Sequence, residues 1–162
     1  VDWARLSIER AVELEPEKGL GQWMLGGIHA TQGRGDEAET AYLEAMRDPE
    51  HRRAALTNIT SLLIMENQVP RAARYVETLT TEYPDYGWGW FYNTLVVIDR
   101  KGGVFSPDDK EVMAAFDKFE QTADPDDPEQ LRQVQALRES HRRMREMMDE
   151  ADARVNERAG DQ

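Results

Sequence analysis

The chain has 162 residues, 32% of them charged, and a formal net charge of −12. That length holds one domain with a real core, while such an acidic surface repels phosphate backbones and anionic lipid, so neither nucleic acid nor direct membrane binding is expected. There is no cysteine, which removes disulfides, thiol catalysis and Cys-based zinc sites and leaves the compartment open, cytoplasmic or periplasmic.

From Asp2 to Glu15 the pattern predicts a helix with Ala4, Ile8 and Ala11 on one face and Pro16 behind it. A second helix follows, carrying Leu25, Gly26 and His29. Gly33 and Gly35 break it, and a third carries Ala38, Tyr42 and Ala45. A small residue, a large one four later and a small one three later thus mark the helices of residues 2–15 and 35–46 alike, 34 residues apart. Another such step gives Ala72, Val76, Leu79 and Pro84; at the proline place the intermediate unit has Glu50, beside Pro49. The other helices keep the same period. Leu25, Gly26, His29 and Gly33 become Ile59, Thr60, Leu63 and Asn67, then Asn93, Thr94, Val97 and Lys101. Asn67 is the next best residue after glycine for a left-handed helix exit. Pro70 sits in a first helical turn, where its missing N–H is harmless.

The next unit departs from the period. Its first helix spans Gly87 to Lys101, and the loop Gly102 to Pro107 is about six residues longer than the spacing allows. Ser106 is expected to cap the following helix, with Pro107 at its first position and Asp108 and Asp109 in its first turn. Val112, Phe116 and Phe119 then replace the usual small residues. Ala123 to Pro128 is a break. From Pro128 to about Arg158 a helix carries Val134, Leu137, His141, Met144, Met148, Ala151 and Val155 at alternating steps of three and four. Its first half is expected to cap the preceding helices, its second half to project or to meet a partner.

The sequence W-x2-L-G-x2-Y, then A-x3-F and a later Pro, marks a tetratricopeptide repeat. The chain resembles that family over residues 1–122: Leu25-Gly26 stand in the Leu-Gly place, His29 in the Tyr place, Tyr42 in the Phe place, and Trp90 in the Trp place of the last unit. The resemblance implies an all-α, right-handed solenoid of helical hairpins. It divides into a second helix of one repeat (1–18), repeats 19–52 and 53–86, a modified repeat 87–122, and a linker with a long capping helix (123–162). The register places Val1 just before a second helix, so the chain is expected to be a piece of a longer protein. Adaptor or scaffold binding without chemistry is the implied activity, with no cofactor and no metal.

In this family the first helices line a concave groove. The face turned away from Leu25 and His29 carries Leu20, Trp23, Gly27 and Ala30, then Ala54, Thr57, Ser61 and Ile64, then Trp88, Phe91, Leu95 and Ile98, flanked by Met24, Asn58 and Tyr92. Trp and Met suit recognition surfaces. The cations with which the family's chaperone-tail binders clamp a carboxylate are missing here, so an apolar peptide or helix is the expected ligand. The alternative is that Trp88, Trp90, Phe91 and Tyr92 pack between repeats or under the last helix; Trp90 is expected in the core either way. Two other readings stand beside groove binding: a homodimer through the long helix or the exposed first helix, and the regulatory end of a larger enzyme. The run Asp124, Asp126, Asp127 and Glu129 lacks the glycine and distant glutamate of a calcium loop. Gly33-x-Gly35 follows no strand, as a phosphate loop would require. The Arg-rich, acid-rich composition suits a salt-tolerant bacterium.

Overall fold

The computed structural model describes residues 2–15, 18–103 and 107–160, except for the side chains of 2, 4 and 155–160. Among these residues it is all helix: α1 (Asp2–Leu14), α2 (Gly19–Thr31), α3 (Gly35–Ala45), α4 (Pro49–Met65), α5 (Val69–Glu82), α6 (Gly87–Arg100), α7 (Lys110–Thr122) and α8 (Pro128–Gly160). They fall into two units, residues 1–84 and 85–162. No helix among the described residues is long and apolar enough to cross a membrane.

In the first unit each helix packs on the next, and α2 also lies beside α4. The small residues of the repeat explain how close the helices come. Ala38, Ala45 and Ala72 are completely buried, and Tyr42 and Val76 fill the space between them at 3% and 1% exposure. A Cβ on Gly26 would lie 2.5 Å from the Tyr42 ring, so the large ring needs a residue without a side chain opposite it. One period later the sizes are exchanged: buried Thr60 stands in the place of Gly26, and Val76 in that of Tyr42. Thr60 meets its own need for a hydrogen bond by donating to the Leu56 carbonyl at 2.7 Å.

The helix exits are also periodic. Gly33 and Asn67 both take positive φ, 70° and 58°. The following amides, Arg34 and Gln68, donate back to His29 and Leu63, which closes orphan carbonyls at the helix end. In α6 the period slips by one: Gly102, not Lys101, is left-handed, and Gly103 donates to Ile98. A second departure is the start of α4 at Pro49 rather than near 53. Asp48 caps it, accepting from Glu50 N at 3.0 Å, with Pro49 in the first turn.

The face of α1 behaves differently from its counterparts. Ile8 is half-buried and Ala11 exposed, although Tyr42 and Ala45 are buried at the same register. Among the described residues, α2 is the helix that packs on α1. Ala4 and Pro16 lie outside what is described, and Pro84 is exposed.

In the second unit α6 packs on α7, and α8 touches both. The helix cap of α7 is Asp109, which accepts from Glu111 N and Val112 N at 3.0 and 3.2 Å. Ser106, expected in that role, lies outside the described residues, and the cap falls three residues later because the turn at Pro107 and Asp108 precedes the helix. Phe116, Phe119 and Val134 form the core, with Trp90, Phe91, Met113, Ala123 and Leu137 packed against it. Asp127 caps α8 through Glu129 N and Gln130 N. The acidic run before α8 is therefore a helix start: Asp124 Oδ1 accepts from Asp126 N at 2.9 Å, and its own N–H donates to buried Gln130.

Candidate functional site

An open depression lies in the first unit, between α2 and α4, and has a volume of about 360 Å³. Gly27, Ala30 and Thr31 form its α2 wall, and Ser61, Leu62 and Met65 its α4 wall. Tyr42 and Asn58 meet at its floor. Burial first, countered by a hydrogen bond with the Asn58 side chain, pushes the Tyr42 hydroxyl above its ordinary pKa. The floor thus carries one neutral polar pair between aliphatic walls, which suits a ligand with apolar side chains and a few backbone hydrogen-bonding groups.

The helices explain why this face is bare. Gly27 has no side chain, and a Cβ there would meet only the Tyr42 hydroxyl, at 3.8 Å. Thr57 turns its hydroxyl back onto the Arg53 carbonyl at 2.8 Å, and Ser61 reaches along its own helix toward the Met65 sulfur at 3.9 Å. Their polar atoms are tied down locally, so the surface they present is largely methyl and methylene.

Of the residues expected from sequence, Gly27, Ala30, Asn58 and Ser61 line this depression directly. Leu20 and Met24 lie on the exposed part of α2, at 47% and 41% exposure. Trp23 and Thr57 are half-buried, and the Trp23 indole N–H is enclosed without a hydrogen-bond partner in the structure. Sequence reasoning missed the Tyr42 hydroxyl, Leu62 and Met65. Tyr42 was read as packing only. On α4 the wall is formed by Leu62 and Met65, one position to either side of the pair Leu63–Ile64, so the face is turned from the Ile64 expectation.

The second unit uses its aromatic residues differently. Tyr92 is buried at 8% exposure, and Phe91 packs on Phe119 with ring centroids 5.4 Å apart. Trp88 meets Phe91 edge-on at 5.4 Å and stacks near Tyr92 at 6.1 Å, while its indole N–H donates to Asp127 Oδ2 at 3.1 Å. These residues were expected on an open groove or, alternatively, packed between repeats or under the last helix. The contacts of Phe91 with Phe119 of α7 and of Trp88 with Asp127 at the start of α8 fit the second reading for those two. Leu95 is half-buried. Trp90, expected in the core, is half-buried against it, with Lys118 Nζ 5.7 Å from its ring.

Asp48, Glu50 and His51 bring one ligand atom each within 4.8 Å of one another. Both Asp48 oxygens are already engaged: Oδ2 accepts from Gly19 N at 2.8 Å and lies 3.0 Å from His51 Nδ1, and Oδ1 takes Glu50 N. The group also sits at the start of α4, where the unpaired amides disfavour a cation. Its arrangement is that of a helix cap. His29 has a different environment: half-buried on α2, its Nδ1 enclosed without a partner, and its pKa lowered chiefly by burial and then by Arg34. No family model matches the sequence, and no curated protein is significantly similar to it.

Proposed function

We propose that the chain is a non-catalytic protein-binding module of tetratricopeptide type, and that the α2–α4 face of its first unit takes an uncharged, apolar segment of a partner protein. One observation carries this reading. In a chain 32% charged, residues 19–31 and 54–65 contain no Asp, Glu, Lys or Arg, although much of their surface is open to solvent. A solvated face of so acidic a protein ordinarily carries charge. An exposed face kept free of charge fits a surface that is desolvated on binding. The size-matched pairs Gly26–Tyr42 and Thr60–Val76 support the repeat reading, because they vary together at the spacing of the family pattern.

The role assigned to Asn58 and Tyr42 is to give the partner one fixed polar anchor on an otherwise apolar floor. Affinity in the micromolar range, about −8 kcal/mol, is expected of such a shallow surface. Selection from a displayed peptide library tests this directly. The reading predicts enrichment of peptides with a central uncharged apolar stretch. Enrichment of acidic or strongly basic peptides, or none at all, contradicts it.

A further inference from the structure

Helix α8 has two different sides. Toward its own unit it buries Gln130 and Val134, packs Leu137 against the core, and pairs Arg138 with Glu120 and Arg145 with Asp108. About a quarter turn away, Ser140, Met144, Met147 and Ala151 recur at steps of four, three and four and fall within about 60° of arc. Met147 is 64% exposed, Ser140 and Ala151 are exposed, and Met144 is half-buried. Alternating steps of four and three are the seam spacing of a coiled coil. The charges along this stretch are divided end to end. Residues 138–145 carry four arginines and one glutamate, whereas residues 146–152 carry four acids and no base.

We propose that a second copy of this chain packs on the seam, two α8 helices running antiparallel about a two-fold axis near Glu146. The charges set the direction. Antiparallel packing puts the basic stretch of one copy against the acidic stretch of the other, whereas parallel packing puts like against like. In the antiparallel register Met144 of one copy meets Met147 of the other, and Ser140 meets Ala151. Two large layers thus lie between two small ones, over about 16 Å of helix. The contact is isologous, the same positions serving both copies. On one flank Arg143 of one copy falls beside Glu150 of the other. Each already has a partner in its own helix, Glu139 on Arg143 at 2.7 Å and Arg154 on Glu150 at 3.1 Å. The two intrahelical pairs therefore join into one row of alternating sign, Glu139, Arg143, Glu150, Arg154, and a network of this kind holds better than isolated exposed pairs. On the other flank His141 lies beside Met148, so neither flank opposes like charges. The seam is short, so the chain is a monomer at micromolar concentration and dimerises toward millimolar.

Sedimentation equilibrium on the 162-residue chain, from micromolar to millimolar concentration, tests the proposal. Salt at about 0.15 M screens the long-range repulsion of two acidic copies and leaves the close pairs in place. The expected result is a monomer–dimer equilibrium that Met144→Glu weakens at least tenfold, because it puts a carboxylate into both central layers. Arg143→Glu and Glu150→Arg each set like charges opposite one another twice in the dimer, and each weakens self-association about threefold to tenfold. An equimolar mixture of those two variants restores opposite charges on both copies, so it forms a mixed dimer tighter than either variant forms alone. Circular dichroism of each variant confirms that the helix is retained. A strict monomer at millimolar concentration overturns the proposal, as does a dimer indifferent to Met144→Glu. A mixture that associates no more tightly than its two components overturns the antiparallel arrangement.

Discussion

The Asp48 carboxylate accepts a hydrogen bond from Gly19 N at 2.8 Å, across 29 residues, while capping α4 through Glu50 N at 3.0 Å. One side chain thereby satisfies the first amide of α2 and an early amide of α4, two groups that a helix leaves unpaired. The link recurs in a different form one period later. Glu82 holds Arg52 through two bonds of 2.7 Å, again joining the end of a second helix to the start of its first.

This geometry makes acid stability predictable. Hydrogen bonds from Gly19 N–H, then from His51 and Glu50 N–H, hold the Asp48 carboxyl below its ordinary range. Arg52 does the same for Glu82, the Val112 N–H and then Lys101 for Asp109, and Gln130 first of all for Asp127. A carboxyl whose folded pKa is depressed stabilises the fold above its unfolded value, about 4, and that stabilisation is lost as pH falls through the folded value. Urea unfolding is therefore expected to show a first, smaller loss below about 6.5, where His29 with its lowered folded pKa favours the unfolded chain, and a steeper fall below about 4 from the carboxylates. In Asp48→Ala the neutral-pH value is lower and the acid slope shallower. An unchanged slope would remove Asp48 from the account.

The Gly26–Tyr42 pair predicts a compensated double mutant. Gly26→Thr alone drives its Cβ into the Tyr42 ring and is expected to cost about 1–3 kcal/mol. With Tyr42→Val added, the site takes the composition of Thr60 and Val76, and part of the loss returns. A double-mutant cycle by chemical denaturation measures the coupling. Additive losses would show that the two residues do not share a space.

Stability and surface separate along the aromatic residues. Phe91→Ala, or Phe119→Ala at a fully buried ring, is expected to cost about 3–5 kcal/mol. Met24→Ala, at 41% exposure, is expected to stay within about 0.5 kcal/mol. Thermal denaturation of the three variants decides between the packing role given to Phe91 and the surface role given to Met24.

Beyond Leu137, α8 is held by ion pairs rather than by a core: those from Glu139 within the helix and one from Arg145 to Asp108 at 2.9 Å. Met147 and Met148 are exposed, and Glu139 holds Arg142 and Arg143, at 2.8 and 2.7 Å. These partners, Arg142 first, lower the Glu139 pKa from 4.5 to about 2. The pairs stabilise the helix above 4.5 and fade toward 2. Helical ellipticity is expected to decline over that window in a salt-dependent way, and Glu139→Gln should reduce the pH-dependent part. Met148→Pro is expected to remove ellipticity while leaving the main unfolding transition in place; a lower transition would mean that this half of α8 packs on something.

Helix positions were legible because size and turn chemistry repeat locally. Gly33 and Asn67 announce their left-handed exits, and Ala38, Ala45 and Ala72 announce close packing. What failed depended on partners distant in sequence. The slip from Lys101 to Gly102 follows from one extra residue in α6; the glycine itself marks the exit, and the strict 34-residue period misplaced it by one. Phe91 shares the helix face of Thr57, and nothing near it in sequence marks the packing on Phe119 of α7 that half-buries it. The double role of Asp48 was not legible, because nothing near it in sequence points to Gly19.

The central claim is that the uncharged face between α2 and α4 binds a partner segment. Gly27→Leu tests it most directly, because the new side chain fills the depression with no clash at its Cβ and replaces glycine by a better helix former, worth up to about 1 kcal/mol. Calorimetric titration of a library-selected peptide into both proteins should show binding to the parent and at least a tenfold loss in Gly27→Leu, whose melting temperature is equal or higher. Undiminished binding to Gly27→Leu would contradict the account.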